Sequence, residues 1–261
     1  MTDQAPSGDT PAPLARTVRF KILRQESPDA SPRWEEFAIP YQPGMNVISA
    51  LMEIDTAPVT AQGQATTPVG YDAACLEEVC GSCTMVINGR VRQACSTLVD
   101  DLDEPIVLEP MTKFPTLRDL VVDRSEMFAH LIRIKAWVPI DGTHALGPGP
   151  KISEQIRERA YHFSRCMSCG CCLEACPQFN ERSAFMGAAS IGQVFLFNSH
   201  PVGAELSSDR LDVLAGPGGI AECGNAQNCA KVCPKQIPLT QAIAHLGRKT
   251  TTHALRHFLE R

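Results

Sequence analysis

The 261-residue chain lacks the features that mark several large classes of protein. Its net charge of -5 includes no basic excess, which argues against nucleic-acid binding. Only 6% of the residues are aromatic, so no stacking surface for bases stands out. A membrane-spanning helix needs about 20 mainly apolar residues. The longest near-apolar stretch, Ala184 to Phe197, is shorter and interrupted by glycine, serine and glutamine, so any membrane association would require a partner.

Targeting signals are also missing from the start of the chain. Residues 1–16 have neither the apolar centre of a secretory signal nor the Arg-rich, acid-free composition of a transit peptide. We expect a disordered leader there and a bacterial source. Without export, cysteines serve as metal ligands more often than as disulfides.

No catalytic arrangement of side chains is visible. The seven histidines are scattered, no Ser–His–Asp or Cys–His pattern occurs, and the glycines form no dinucleotide-binding motif. Nicotinamide, flavin or hydrolytic chemistry would therefore take place on another chain.

The first half has the alternating apolar residues of a small mixed sheet. Val18, Phe20 and Ile22 share one face of the first predicted strand, and Asn88-Gly89 suits the tight turn of a hairpin. Two strands, a helix and further strands give a β-grasp order. The predicted elements are strands at 17–23, 34–39, 84–88, 90–92 and 105–108, and a helix carrying Val47, Leu51 and Ile54.

The second half reads as helical. Apolar spacings of three and four residues recur with few strand signals. The predicted helices lie at about 127–138, 152–163, 184–198, 205–214 and 239–247. The predicted fold class is therefore α+β, with a β-grasp domain over residues 17–125 and an all-α domain over residues 126–261.

Twelve cysteines carry the chemistry. Cys75, Cys80 and Cys83 are separated by four and two residues, and Cys95 follows on the far arm of the predicted hairpin. This is the ligand spacing of a plant-type [2Fe–2S] ferredoxin. A structural zinc site is the alternative, but zinc favours two close cysteine pairs and only one is present.

A second run predicts a [4Fe–4S] site. Residues 166–177 match the bacterial C-x₂-C-x₂-C-x₃-C-P run, whose fourth cysteine ligates the other cluster of a two-cluster ferredoxin. A partner run ends at Cys233-Pro234, and by the same crossing rule Cys233 returns to the first cluster. The predicted [4Fe–4S] ligands are Cys166, Cys169, Cys172 and Cys233.

The partner run lacks one cysteine, because Ala226 stands in its place. The remaining ligands are Cys176, Cys223 and Cys229, and three thiolates favour a [3Fe–4S] cluster. The alternative is a [4Fe–4S] cluster whose fourth iron binds water or substrate. Cys171 falls outside the pattern, and we expect a buried thiol there.

These motifs in this order resemble the iron–sulfur subunit of succinate dehydrogenase and fumarate reductase, over nearly all of the chain from Thr17 onward. Lys113-Phe114-Pro115 and Arg118-Asp119-Leu120 are similar to the segment between the domains of that family. The resemblance implies an FAD-containing flavoprotein subunit as electron donor, and a membrane anchor at which quinone is reduced. It implies a peripheral position on the cytoplasmic face of the bacterial inner membrane. Fumarate reduction would run the relay in reverse.

The chain departs from the ubiquinone-reducing members of that family. They carry Trp-Trp where this chain has Asn180-Glu181, and a His where this chain has Gly224. The departures favour menaquinone and an anchor that carries haem b. Two other classes are a relay subunit of a different oxidoreductase and a free ferredoxin. The missing cysteine at 226 and the fusion of two cluster domains argue against them.

Overall fold

The computed structural model describes residues 16–139 and 150–260. The first part is a mixed five-stranded sheet in the order β2-β1-β5-β3-β4, in which β1 runs parallel to β5 and the other pairs are antiparallel. The helix α1 follows β2. Their bounds are β1 Thr17–Arg24, β2 Arg33–Pro40, α1 Val47–Thr56, β3 Thr84–Ile87, β4 Arg90–Gln93 and β5 Ile106–Glu109.

The predicted faces of this sheet are confirmed. Val18, Phe20 and Ile22 alternate with less buried neighbours, and all three side chains are fully buried in one core with Leu51 and Ile54 of α1. The start of α1 is set by a capping box: Asn46 accepts from the Ser49 amide and Ser49 accepts from the Asn46 amide. In the hairpin turn, Asn88 and Gly89 have φ angles of 47° and 70°.

A second, two-stranded sheet was not predicted. It consists of β6, Thr116–Arg118, and β7, Val121–Val122. These strands are too short for an alternating pattern to appear in the sequence.

After Val122 the described residues contain helices and no strand. The helix α2 ends at Arg133, earlier than predicted, and Lys135 just beyond it has a φ of 51°, which a helix cannot continue. The helices are α2 Ser125–Arg133, α3 Glu154–Ser164, α4 Cys171–Glu174, α5 Gly187–Ser199, α6 Ser207–Ala215, α7 Asn228–Val232 and α8 Leu239–Leu259. None of them is long and apolar enough to cross a membrane.

The helical part surrounds α5, which packs against α3 and α8. Met111 and Phe114, which follow β5, and Val122 of β7 pack with Met127 in the core of this part. Glu174 of α4 links the helical part to the segment between β5 and β6. Its carboxylate accepts hydrogen bonds from the amides of Thr112 and Lys113 at 3.0 Å each. Of the predicted leader, only Arg16 lies within the described residues, and it pairs with Asp100 at 3.2 Å.

Candidate metal centres

Residues 75–83 form a loop that directs backbone N–H groups at sulfur. The Sγ of Cys75 accepts from the amides of Glu77, Val79 and Cys80 at 3.4, 3.3 and 3.3 Å. Leu76, Glu78 and Gly81 have φ angles of 61°, 54° and 75°, and these left-handed positions curl the chain around the sulfur. Such donors stabilise a thiolate, the form in which cysteine binds metal.

Cys80 shows the effect of that environment most clearly. Hydrogen bonds from Ser82, together with Cys75, lower the pKa of the Cys80 thiol to about 6. The amide of Ser82 donates to the Cys80 Sγ at 3.5 Å. These hydrogen bonds therefore favour the ionised form of Cys80, in which its sulfur can bind metal.

Cys83 and Cys95 lie on the side of the site that faces the hydrophobic core. Cys95 lies in a single 3₁₀ turn, Ala94–Ser96, directly after β4. Burial, with the adjacent Cys95, raises the pKa of the Cys83 thiol to about 12. The structure thus joins two partly exposed sulfurs in the loop to two buried sulfurs beside the sheet, which suits a small cluster seated at the edge of the core.

The four cysteines predicted for the [4Fe–4S] site line one pocket. Its walls also include Ala189, Ile237 and Leu239, so the sulfurs face an apolar space. Cys233 reaches this pocket from the far end of the second run, and its Sγ accepts from the Ile237 amide at 3.5 Å. The predicted ligands that the structure brings together are Cys166, Cys169, Cys172 and Cys233.

The remaining three cysteines also come together. Burial raises the pKa of the Cys229 thiol, and Cys176 and Cys223 raise it further. Ala226 is exposed and provides no sulfur to this group. The side chain of Asn228 donates to the carbonyl of Ala175 at 3.0 Å, which fastens the loop of the second run to that of the first.

The chemistry of the buried cysteines fits a metal cluster. Burial raises the pKa of the Cys172 thiol well above its usual value, and the thiols of Cys169 and Cys166 add to it. Burial likewise raises the pKa of Cys166. Several thiolates cannot share an apolar pocket without cations to balance them, so binding iron would drive their protons off. Iron bound by these sulfurs would supply one-electron redox chemistry.

The first site and the second lie directly against each other. A Cβ added to Gly81 would lie 2.8 Å from the Cα of Cys169, so only glycine permits this approach. Arg124 reinforces the contact from the start of α2 by donating to the carbonyls of Gly81, at 2.8 Å, and Ser82. The role of Arg124 was not predicted from the sequence, because nothing in its local pattern points to the loop.

Two family models match the chain. One, described as a 2Fe-2S iron-sulfur cluster binding domain, matches residues 19–129, and one described as a 4Fe-4S dicluster domain matches residues 162–237. The succinate dehydrogenase iron-sulfur subunit of Bacillus subtilis (strain 168) is 57% identical over 243 residues, which cover 93% of this chain and 96% of the relative. This chain belongs to the family of succinate dehydrogenase iron–sulfur subunits.

Fumarate reductase subunits are more distant members. The iron-sulfur subunit from Wolinella succinogenes is 29% identical over 236 residues, which cover 89% of this chain and 96% of the relative. Among solved structures, the Mycobacterium smegmatis Sdh1 complex in the apo form includes a chain that superposes with a TM-score of 0.74. It is 21% identical and covers 92% of this chain and 97% of that one, so it supports the fold alone. These matches identify the chain as an iron–sulfur subunit with a sheet-bearing domain and a helix-rich domain.

Proposed function

We propose that this chain is the electron-transfer subunit of a succinate:quinone oxidoreductase. It relays electrons from the FAD of a flavoprotein subunit, through [2Fe–2S], [4Fe–4S] and [3Fe–4S] clusters, to quinone at a membrane anchor. The observation that carries the proposal is the close approach of the Gly81 loop to the Cys169 loop, together with the convergence of both cysteine runs in the helical part. Adjacent sites suit a relay, because electrons must pass from one to the next.

The ligand assignment follows the three groups of sulfurs. Cys75, Cys80, Cys83 and Cys95 would hold the [2Fe–2S] cluster. The pocket cysteines would hold the [4Fe–4S] cluster: Cys166, Cys169, Cys172 and Cys233. Cys176, Cys223 and Cys229 would hold the [3Fe–4S] cluster. The sheet order β2-β1-β5-β3-β4, with α1 against it, supports a β-grasp domain over residues 17–125, and the helices support a bacterial-ferredoxin-like domain over 126–261.

The partner and its position complete the proposal. The Bacillus subtilis relative is named for succinate dehydrogenase, which favours succinate oxidation in this chain as well. Asn180-Glu181 and Gly224 favour menaquinone and a haem b-bearing anchor. The chain would then bind peripherally, through that anchor, on the cytoplasmic face of the bacterial inner membrane. Fumarate reduction by the same relay in reverse is the second candidate, favoured by the Wolinella relative.

Electron paramagnetic resonance on the membrane complex, pulled down by a tag on this chain, tests the relay. Succinate should abolish an oxidised [3Fe–4S] signal and produce a reduced [2Fe–2S] signal. Clusters that respond to dithionite and not to succinate would contradict the proposed donor, while the cluster assignment would stand.

A single substitution tests the third cluster. Ala226→Cys supplies the sulfur missing from the second run, so we expect a [4Fe–4S] cluster to replace the [3Fe–4S] cluster. The oxidised-state signal should disappear and the iron content should rise by one atom per chain. Ala226→Ser is the control at the same exposed position, and it should keep the signal if the cluster type follows thiolate supply.

A further inference from the structure

Gln93 is a buried polar residue between the first two sites, and its amide touches sulfur on both sides. Its side chain, at the end of β4, is 1% exposed. The amide lies 3.5 Å from the Sγ of Cys83 through Oε1 and 3.5 Å from the Sγ of Cys171 through Nε2. Cys83 and Cys171 are themselves buried, so these contacts form away from water.

Bound to iron, Cys83 is a thiolate, which accepts hydrogen bonds and donates none. An amide oxygen facing that sulfur would meet a second acceptor. Turning the amide over resolves the conflict: Nε2–H then donates to Cys83, and Oε1 accepts from the Cys171 thiol. A buried amide settles in the orientation that satisfies its partners.

The surrounding groups accommodate the turned amide. Thr84 Oγ1 lies 2.5 Å from Gln93 Nε2 and donates to the Gly81 carbonyl at 2.8 Å. After the turn, the hydroxyl can donate to Oε1 instead. The Gly81 carbonyl keeps a donor, because Arg124 reaches it at 2.8 Å. No polar group in this set loses its last partner.

We propose that Gln93 is a positioning residue that links the ligand Cys83 to the non-ligand Cys171 and sets the reduction potential of the [2Fe–2S] site. This inference rests on the proposed function and explains the cysteine that the ligand spacing left over. A donor to a ligand sulfur stabilises the reduced, more negative form and so raises the potential. Cys171 anchors the amide from the loop of the second site.

The test is a redox titration of the isolated complex, followed by the resonance of the reduced [2Fe–2S] cluster. Gln93→Leu should favour the oxidised form about tenfold, which for one electron is a fall of about 59 mV. Cys171→Ala should lower the potential by less. The Gln93 amide then loses its contact with Cys171, but its Nε2–H still donates to Cys83. Gln241→Leu, the same change at an exposed position of α8, should titrate like the parent.

Each outcome decides one point. If Gln93→Leu and Cys171→Ala both titrate at the parent potential, the link is wrong while the cluster assignment stands. If Gln93→Leu does not fold, an unchanged potential in Cys171→Ala is enough to overturn the link. A parent complex without a [2Fe–2S] signal would instead contradict the proposed function.

At the far end of α8, three side chains with metal-binding atoms converge. One ligand atom each from Asp212 of α6 and from His253 and His257 of α8 lie within 4.8 Å of one another. The Nε2 of His253 is 2.7 Å from Asp212 Oδ1, and the ring centroids of His253 and His257 are 4.4 Å apart. Positions i and i+4 share one face of a helix, so both rings point the same way.

Within the described residues, the end of α8 is mostly exposed. Thr250 is its last buried residue, and beyond it Leu255, Phe258 and Leu259 are 61%, 76% and 75% exposed. We infer that Asp212, His253 and His257 bind a divalent transition-metal ion that ties this end to α6. Two imidazoles and a carboxylate suit Zn²⁺, with water in the open position.

Equilibrium dialysis of the complex against Zn²⁺, with metal analysis, tests the site. We expect one zinc ion per chain at unchanged iron content, and slower amide exchange in the last two turns of α8. His257→Ala should lose this zinc, while His162→Ala, an exposed histidine on α3, should keep it. Equal zinc in both variants, or none in the parent, would overturn the inference.

Discussion

The two parts of the molecule differ in how their cysteines relate to their hydrophobic cores. In the sheet part Cys83 and Cys95 belong to the core, whereas Cys75 and Cys80 lie in a loop outside it, where backbone amides donate to their sulfurs. In the helical part Cys172 and Cys229 belong to the core itself, and burial raises their pKa. A loop can prepare thiolates for a metal without burying them. Thiols inside a core remain protonated until metal arrives, so folding and cluster assembly become one process there.

Removal of iron should produce the largest difference between the two parts. Stripping the clusters with a chelator and a reductant leaves seven cysteines of the helical part without metal, and we expect the amides of this part to lose protection from exchange. The amides of β1 and β5 should stay protected, because Phe20, Ile22 and Ile106 pack without metal. Hydrogen exchange read by mass spectrometry measures both. Equal loss in the two parts would abolish the distinction.

A buried ion pair stabilises the sheet part independently of metal. Arg24, with no exposed side-chain surface, donates to Asp119 at 3.1 Å and to Glu35 at 2.6 Å. Asp119→Asn leaves a buried guanidinium with one carboxylate partner, and asparagine tolerates the positive φ of 46° found there. We expect a loss of about 3 kcal/mol in the free energy of unfolding of the sheet part.

Denaturant titration followed by Trp34 fluorescence, in β2, measures this loss. The control is Asp101→Asn at an exposed position, where the change should be within about 0.5 kcal/mol. A similar midpoint for both variants would show that the ion pair does not stabilise the sheet.

The contact between the two parts can be probed with a matched pair of glycines. Gly81 and Gly89 have φ angles of 75° and 70°, so alanine incurs similar backbone strain, about 1 kcal/mol, at either position. Only at Gly81 would the new Cβ meet another backbone, at 2.8 Å from Cys169 Cα; at Gly89 nothing lies within 4 Å. Gly81→Ala should therefore weaken spin coupling between the first two clusters, and Gly89→Ala should not. Equal spin coupling in Gly81→Ala and Gly89→Ala would show that coupling between the clusters does not depend on the close contact of Gly81 with Cys169.

Acid sensitivity should be a small effect confined to the helical part. Burial lowers the pKa of His130 below 6.5, so the unfolded chain takes up its proton first as the pH falls. The stability contribution is present above pH 6.5 and declines as the pH falls towards the folded pKa. His130→Leu should flatten the thermal-midpoint profile in that interval. An unchanged slope would assign the acid sensitivity to other groups.

Much of the secondary structure could be predicted because it depends on local periodicity. The strand around Phe20 and the helix carrying Leu51 bury the predicted faces. The helix α8 runs twelve residues past its predicted end at Gly247. Leu255, Phe258 and Leu259 have an apolar helical spacing in that extension, but they stay exposed and do not join the core. The short helices α4 and α7 next to the ligands were missed, since each spans little more than a turn.

Ligand spacing is a local property, and it alone grouped eleven of the twelve cysteines and indicated the missing one at 226. The place where two separate loops meet depends on the packing of distant segments. Gln93 against Cys171, Arg124 on the loop carbonyls and Gly81 against Cys169 join residues 42 to 88 positions apart, and no local pattern carries that information. Chain spacing can predict which sulfurs would share a metal, because one loop presents most of each set. Only the assembled core brings one site into contact with the next.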